Sequence, residues 1–465
     1  EPRAATALRE AGMRAFAIGA FPDTVRALRA AAEWLPGGLD ARALRVLGAA
    51  LSFTQHTGEA ELRLAFDRLD ADGATAEAAV TATDLSLAFW RHGDGARAAE
   101  WTSRALELVA GMGPTHEHVD VLAQAARHKM VAGHQEEAIA IADQAIALAA
   151  EVDASGPRAS ALITRATAMA NAGAYDSATQ DLREAMALGG EYPFELSRAH
   201  VNLGSILLDL GDISGSIDVE RQGVVLCERL GTIDGFGRFV LGNLTEALFM
   251  AGEWGEAEEI ATAGLEHAQR TGGQYHEPLF RFVLGELGLV RDNLVDDTAA
   301  VARIQIELAR ERGDDQAVFP SFGVAAWQLV RTGHVVEAET LIDELLARRR
   351  ENPTGVMPGY WTTYVALTLD AIGRHGELLV LDEPKGSRFL EAALAIDAGR
   401  YADAAAMLDA MGAPQLEAET RVLAARALRN ADDAAGAESQ LARARALLRA
   451  LGAMARLREL DAASV

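Results

Sequence analysis

The segment THEHVD at residues 115–120 brings together side chains of types that bind metal ions. Zinc sites on a helix need two imidazoles on one face, commonly four residues apart. His116 and His118 are only two apart, so on a helix they point to different sides. The spacing therefore favours solvated residues at the start of a helix, and the sequence predicts no metal and no cofactor.

A second candidate for chemistry is ELLVLDEPKGS at residues 377–387, where an apolar run ends in Asp382 and Glu383. In nucleotide hydrolases such a pair holds magnesium and orients the attacking water. The chemistry also requires a glycine-rich phosphate loop that ends in lysine, and neither Lys129 nor Lys385 lies in that pattern. Motifs for nucleophilic and dinucleotide chemistry are absent as well. We therefore predict that this chain is not an enzyme.

A column of polar side chains recurs at intervals of about forty residues and includes Asp84, Gln124, Thr164, Asn202 and Asn243. An amide both donates and accepts hydrogen bonds, which suits contact with the backbone of an extended peptide.

Helical spacing adds further polar residues to the faces that carry the two asparagines. The candidate groove-binding residues are Asn202, Asn243, Arg198, Ser205, Asp209, Glu246 and Asp84. The alternatives are a polar wall that simply stays wet, or amides that tie one repeat to the next.

The elements that position this column come from an internal repeat. Phrases such as AGHQEEAIAIADQAI, AGAYDSATQDLREAM and AGEWGEAEEIATAGL share a glycine followed by small residues at fixed offsets. Glycine suits a tight turn that closes a helix with a left-handed residue, and the small residues let the next helix pack closely. The predicted turn residues are Gly19, Gly58, Gly93, Gly133, Gly173, Gly211, Gly252, Asp292, Gly333, Gly373, Gly399 and Asp432.

Apolar spacing on both sides of each turn predicts two helices per unit, and no alternating strand pattern is present. The fold class is therefore all-α, a right-handed superhelical solenoid of about eleven or twelve antiparallel helix pairs. We predict repeats over residues 1–350, an irregular or degenerate repeat over 351–388, and C-terminal repeats with a capping helix over 389–465.

The turn phrases GAYDSA, GEWGEA and GRYADA, with NLG upstream in HVNLGSILLDLGD, resemble tetratricopeptide repeats of the long, MalT-like kind. The end segments EAGMRAFAIGAFPDTVRALRAAAEWLP and ARALLRALGAMARLRELDAAS resemble the region that closes large bacterial regulators. In those regulators a nucleotide cyclase or a LuxR-type DNA-binding domain is joined to a P-loop ATPase. The resemblance implies a sensor or scaffold role, and it assigns peptide-backbone contacts to Asn202 and Asn243 only.

Composition limits the classes of partner that this chain can bind. A net charge of −25 disfavours nucleic acid, whose binding needs clustered basic residues, and no apolar run is long enough to span a membrane. The single Cys227 lies among apolar residues, so we expect a buried thiol and a reducing, cytoplasmic location.

We thus predict a non-catalytic interaction or sensor module of a signalling or transcriptional regulator. It would bind a peptide, a protein segment or a small effector in its concave groove. The alternatives are part of an ATP-dependent cyclase–ATPase with catalysis outside this chain, and a passive scaffold that self-associates.

Overall fold

The computed structural model describes residues 2–55, 57–91, 94–188, 192–234, 236–271, 276–353, 356–378 and 386–463. Over these residues the regular structure is helical, with antiparallel helix pairs joined by tight turns. The predicted all-α, tetratricopeptide-like solenoid is confirmed. Contacts divide the chain into two compact units, which are described separately below. Unit 1 comprises residues 1–202 and 222–238, and unit 2 comprises residues 203–221 and 239–465.

The helices up to residue 188 belong to unit 1, and the unit boundaries fall inside the three helices that follow. They are α1 (Pro2–Ala17), α2 (Phe21–Trp34), α3 (Ala41–Thr54), α4 (Glu59–Ala71), α5 (Thr75–Arg91), α6 (Gly95–Val109), α7 (His116–Val131), α8 (Gln135–Val152), α9 (Ser155–Asn171), α10 (Tyr175–Leu188), α11 (Pro193–Asp209), α12 (Ile213–Leu230) and α13 (Gly237–Ala251).

The remaining helices lie in unit 2. They are α14 (Trp254–Thr271), α15 (Glu277–Asp292), α16 (Val295–Arg312), α17 (Asp315–Arg331), α18 (Val335–Glu351), α19 (Trp361–Ala371), α20 (Arg388–Asp397), α21 (Tyr401–Met411), α22 (Pro414–Asn430), α23 (Ala434–Ala450) and α24 (Met454–Ala463). The boundaries predicted at residues 350 and 388 stay a prediction.

Local sequence explains where helices begin. Asp40 and Asp314 cap α3 and α17, because each carboxylate accepts a backbone N–H from three residues ahead at 2.9 Å. Pro278 and Pro414 stand in the first turn of α15 and α22, where a missing N–H leaves no hydrogen bond unmade.

The turns between paired helices lie almost where the repeat pattern predicts them. Ten of the predicted residues have positive φ, from 58° at Asp432 to 104° at Gly58. The prediction of Asp292 as a turn residue is wrong by one position. Asp292 is the last residue of α15, and the left-handed residue is Asn293 with φ 62°. Asparagine and aspartate both tolerate this conformation, so either residue could have taken the turn position. Gly93 lies outside the described residues.

The small residues after the turns are buried where helices meet. Ala98, Ala138, Ala178 and Ala257 are fully inaccessible to solvent. Close packing at these positions leaves no room for a larger side chain.

Unit 1 also makes contacts between its first repeat and α11. The Phe21 ring lies 4.2 Å from that of Phe53, centroid to centroid, and 5.5 Å from that of Phe194 at the start of α11. A Cβ added at Gly19 would lie 2.8 Å from Phe194. The solenoid therefore brings the first helix pairs of unit 1 against its last inner helix.

Unit 2 makes the same kind of contact with a different pair of ends. A Cβ added at Gly211 would lie 2.5 Å from the Met411 sulfur. One added at Gly252 would lie 2.7 Å from Leu451 and 2.9 Å from Pro414. The early turns of unit 2 are thus covered by its own α21, α22 and α23.

Candidate functional site

The first helices of successive pairs in unit 1 contact one another from α3 through α5 and α7 to α9. Hydrogen bonds join α9 to α11, so these five helices form one layer. Charges on this layer influence one another across non-adjacent helices: Arg45 of α3 acts on Asp120 of α7, and Arg198 of α11 acts on Arg127 of α7. These side chains therefore share one surface, which we expect to be the inner, concave one because the first helices of a solenoid line that side. We name this surface the inner wall of unit 1, defined by Arg45, Asp84, Arg91, Asp120, Arg127, Glu195, Arg198 and Asn202.

Three of the residues predicted from the sequence lie on this wall. The Asn202 amide nitrogen donates to the Thr167 hydroxyl at 2.9 Å, which joins α11 to α9. Arg198 donates to the Ser160 hydroxyl at 2.9 Å and to the Glu195 carboxylate at 2.6 Å. These contacts hold the side chains in place between neighbouring repeats, and the groove-binding role stays a prediction.

The third residue, Asp84, forms an ion pair with Arg45 of the preceding repeat at 2.7 Å. Nearby, burial together with repulsion from Asp84 and Glu195 raises the pKa of Asp120 to about 6, although Arg45 opposes the change. This part of the wall therefore holds more carboxylate than its one arginine neutralises.

A group of arginines on the wall escaped the sequence analysis. Arg91 donates to the Ser52 hydroxyl at 3.0 Å, and its guanidinium lies 3.5 Å from the centre of the Phe53 ring. Burial lowers the pKa of Arg91 to about 9, with Asp84 acting in the opposite direction.

Arg127 is the central member of this group. Burial lowers its pKa well below the usual value, and the positive charges of Arg198 and Arg91 lower it further. Its guanidinium has no hydrogen-bond or ion-pair partner among the residues that the structure describes. Helical spacing in the sequence could have identified Arg127, because it lies three residues after Gln124 and so on the same polar face.

In unit 2 the predicted residue Asn243 is buried. Its amide nitrogen donates to Glu220 at 3.2 Å, and its oxygen lies 3.3 Å from the His276 ring nitrogen. Burial raises the pKa of Glu220 well above its usual value, and the hydrogen bond from Asn243 acts in the opposite direction.

Glu246 and Asp209 face the later helices of the same unit. Burial raises the pKa of Glu246 to about 7, while a hydrogen bond with Tyr360 lowers it. Burial and then repulsion from Glu246 raise the pKa of Asp209 well above its usual value. Gly359 lies so close to Asp209 that an added Cβ would overlap the carboxylate. Ser205 is half-buried.

Two further polar clusters join distant helices of unit 2. Gln415 donates to the buried Glu286 at 2.7 Å, although the two are 129 positions apart. Glu419 accepts from Arg331 at 3.2 Å and from Arg456 at 2.7 Å. Burial alone would raise the pKa of Glu419, but the two arginines outweigh it and hold the pKa below its usual value. Glu286 and Arg331 of unit 2 are therefore bonded to the later helices of the same unit.

The remaining candidates gain no support. Asp382 and Glu383 lie outside the described residues. Within the described ranges, no group of three or more histidine, cysteine or carboxylate side chains is arranged to hold a metal ion. None of the helices described is long and apolar enough to cross a membrane.

Comparisons with known proteins support the fold. No protein-family model matches the sequence, and no curated protein matches it either. Among solved structures, a Rap protein complexed with Competence and Sporulation Factor is similar over 76% of this chain and 99% of its own, with 13% identity and a TM-score of 0.50. A human IFIT1 dimer with PPP-AAAA is similar over 91% of this chain and 93% of its own, with 13% identity and a TM-score of 0.44.

The class of protein follows from the fold, the first of these likenesses and the repeat. The chain is a tetratricopeptide-like α-solenoid. At 13% identity the likeness defines the fold alone.

Proposed function

We propose that this chain is a non-catalytic recognition module that binds a peptide, or a segment of a partner protein, along the inner wall of unit 1. The observation that carries the proposal is that some polar side chains of this wall are fixed by hydrogen bonds while one arginine is left available. Arg198 and Asn202 are held in place by their neighbours, whereas Arg127 has no partner among the described residues. Polar groups fixed in advance bind with a smaller loss of conformational entropy.

The absence of a partner for Arg127 among the described residues supports the same proposal. The half-buried guanidinium of Arg127 has no acceptor from the described residues and so depends on water, and a ligand that supplies a charged acceptor replaces this with a stronger, charge-assisted hydrogen bond. Concave solenoid surfaces of this kind present many parallel contact points, which suits an extended chain.

The wider context of the proposal is a signalling regulator of which this module is one part. It is supported by the resemblance of the two end segments to the closing region of such regulators. The Rap protein similar in fold was solved in complex with Competence and Sporulation Factor, which agrees with a binding role for a solenoid of this shape.

The test is a selection for binding followed by mapping of the site. The full chain is panned against a phage library of random 12-residue peptides, and the selected peptides are resynthesised with a benzophenone photo-crosslinker. We expect crosslinks on α5, α7, α9 and α11. Failure to select any peptide above background, or crosslinks confined to the outer helices α4, α6, α8 and α10, would overturn the proposal.

A further inference from the structure

We propose that Arg91, Arg127 and Arg198 form an anion subsite on the inner wall of unit 1 that binds a carboxylate group of the ligand. The inference deepens the proposed function and rests on it, because the same wall is the binding surface. It names the chemistry by which that wall selects its ligand.

The subsite is built from three wall helices, α5, α7 and α11, and α9 lies between the last two. Arg91 is fixed by the Ser52 hydroxyl and the Phe53 ring, and Arg198 is fixed by the Ser160 hydroxyl. Arg127 lies within electrostatic reach of both. Two guanidinium groups are thus held in position while the third is available, and such preorganisation favours tight binding of an oxyanion.

Arg127 is repelled by Arg91 and Arg198, although the chain has a net charge of −25 and could have placed carboxylates around it. Carboxylates are abundant, yet among the described residues none forms an ion pair with Arg127. An incoming anion would relieve the repulsion and supply the missing acceptor at once. The cluster is therefore better suited to a bound state than to the free one.

The charge balance favours a carboxylate over a phosphate. Glu195 pairs with Arg198 at 2.6 Å and Asp84 pairs with Arg45 at 2.7 Å. The four arginines of the wall thus face three carboxylates, those of Asp84, Asp120 and Glu195. About one positive charge, that of Arg127, is left without compensation. A carboxylate carries one negative charge, whereas a phosphate group carries between one and two near neutral pH and would meet repulsion from Glu195 and Asp84. Guanidinium groups bind a carboxylate through two parallel hydrogen bonds.

The experiment uses the full chain labelled with 15N-arginine, in which the Nε signals of the three residues are assigned by single substitutions to lysine. Sodium N-acetylglycinate, its neutral amide N-acetylglycinamide and inorganic phosphate are each added at constant ionic strength. We expect saturable shifts of the Arg127 signal with the acid and no shift with the amide. Phosphate should bind on the order of tenfold more weakly.

Two variants provide the controls. Arg127→Gln should abolish the response of the Arg91 and Arg198 signals to the acid, and it should fold at least as stably because it removes repulsion. Arg104→Gln, at an exposed arginine on the outer helix α6, should respond like the original chain. Arg127→Lys keeps the charge but loses the planar fork, so we expect affinity to fall by about tenfold.

The outcomes separate this inference from the proposed function. An equal response to the amide, no response at all, or tighter binding of phosphate would overturn the carboxylate subsite. Selected peptides that crosslink to the wall but bind Arg127→Gln as tightly as the original chain would also overturn it, while leaving peptide recognition standing. Shifts with the acid but no selected peptide would support the subsite and count against the peptide ligand.

Discussion

Inner charges ahead of the turn have opposite signs in the two units: Arg127 of unit 1 and Glu246 of unit 2 lie six residues before their turn glycines, and Glu286 of unit 2 lies seven residues before Asn293. The arginine has no partner among the described residues. The two glutamates are covered by later helices of their own unit, because Tyr360 bonds to Glu246 and Gln415 bonds to Glu286. One repeat pattern therefore yields two kinds of inner surface, and the side chains that face inward decide which kind forms.

The residue two positions before the turn shows the same contrast. In unit 1 Arg91 bonds to a hydroxyl group and lies over an aromatic ring. In unit 2 Arg331 pairs with Glu419 and Glu459, at 3.2 and 3.0 Å. Unit 2 thus uses its inner charges to join helices that are far apart in sequence, whereas unit 1 keeps an arginine group without a full set of carboxylates.

The largest expected effect comes from removing the shared carboxylate of unit 2. Glu419→Ala removes two hydrogen bonds from Arg456 and one from Arg331 and leaves Glu459 as their shared carboxylate, so the free energy of unfolding should fall by about 3–5 kcal/mol. Urea denaturation followed by circular dichroism measures the change. The control is Glu344→Ala at the exposed pair with Arg310, for which we expect less than about 1 kcal/mol. Similar losses in both variants would remove the distinction between the inner and outer charges.

The turns and the small-residue contacts were predictable because they depend on local backbone conformation. Gly133 and Gly173 need positive φ, and this requirement is visible in the sequence as a recurring residue. The shift from Asp292 to Asn293 marks the limit of such an argument, since both residues tolerate the conformation and neighbouring contacts decide between them.

The partners of the inner side chains were not predictable, because they depend on which distant helices meet. Asn202 and Asn243 occupy the same column, yet the first bonds to a neighbouring repeat and the second to a buried glutamate. Nothing local distinguishes Arg127, without a partner, from Arg331, which pairs with residues of α22 and α24.

A second prediction concerns pH and the buried carboxyl of Glu286, whose pKa burial raises to about 7. The folded state then binds the proton more tightly than the unfolded state, so this residue lowers stability as pH rises from about 4.5 to 7. Glu286→Gln should therefore raise the free energy of unfolding by roughly 3 kcal/mol at pH 8, with the gain vanishing toward pH 5.

Urea denaturation at both pH values checks this expectation, and Glu344→Gln serves as the exposed control. A gain that is the same at pH 5 and pH 8 would show that the side-chain amide improves packing and that Glu286 does not titrate in this range.

A third prediction uses two turn glycines of unit 2 with nearly equal φ, 80° at Gly252 and 84° at Gly333. An added Cβ at Gly252 would press on Leu451 and Pro414, whereas at Gly333 nothing lies within 4 Å. Gly333→Ala should cost about 1 kcal/mol from backbone strain alone, and Gly252→Ala about 2–3 kcal/mol. Thermal unfolding measures both. Equal losses would mean that the later helices do not press on this turn.

The smallest expected difference is between the two asparagines of the polar column, which the repeat pattern treats as equivalent. Asn202→Ala removes one half-buried hydrogen bond to Thr167, and this hydroxyl group still donates to the Ile163 carbonyl, so about 1 kcal/mol should be lost. Asn243→Ala removes the donor to Glu220 inside a buried cluster, and we expect a loss of about 1–3 kcal/mol.

Denaturation of the two single variants gives the order, and the peptides selected against the full chain give the second readout. Asn202→Ala should weaken the binding of these peptides, because Asn202 belongs to the inner wall that binds them, whereas Asn243→Ala should leave it unchanged. If Asn243→Ala weakened binding as much as Asn202→Ala, recognition would depend on both units, and the contrast between a ligand-binding wall and a self-bonded one would have to be abandoned.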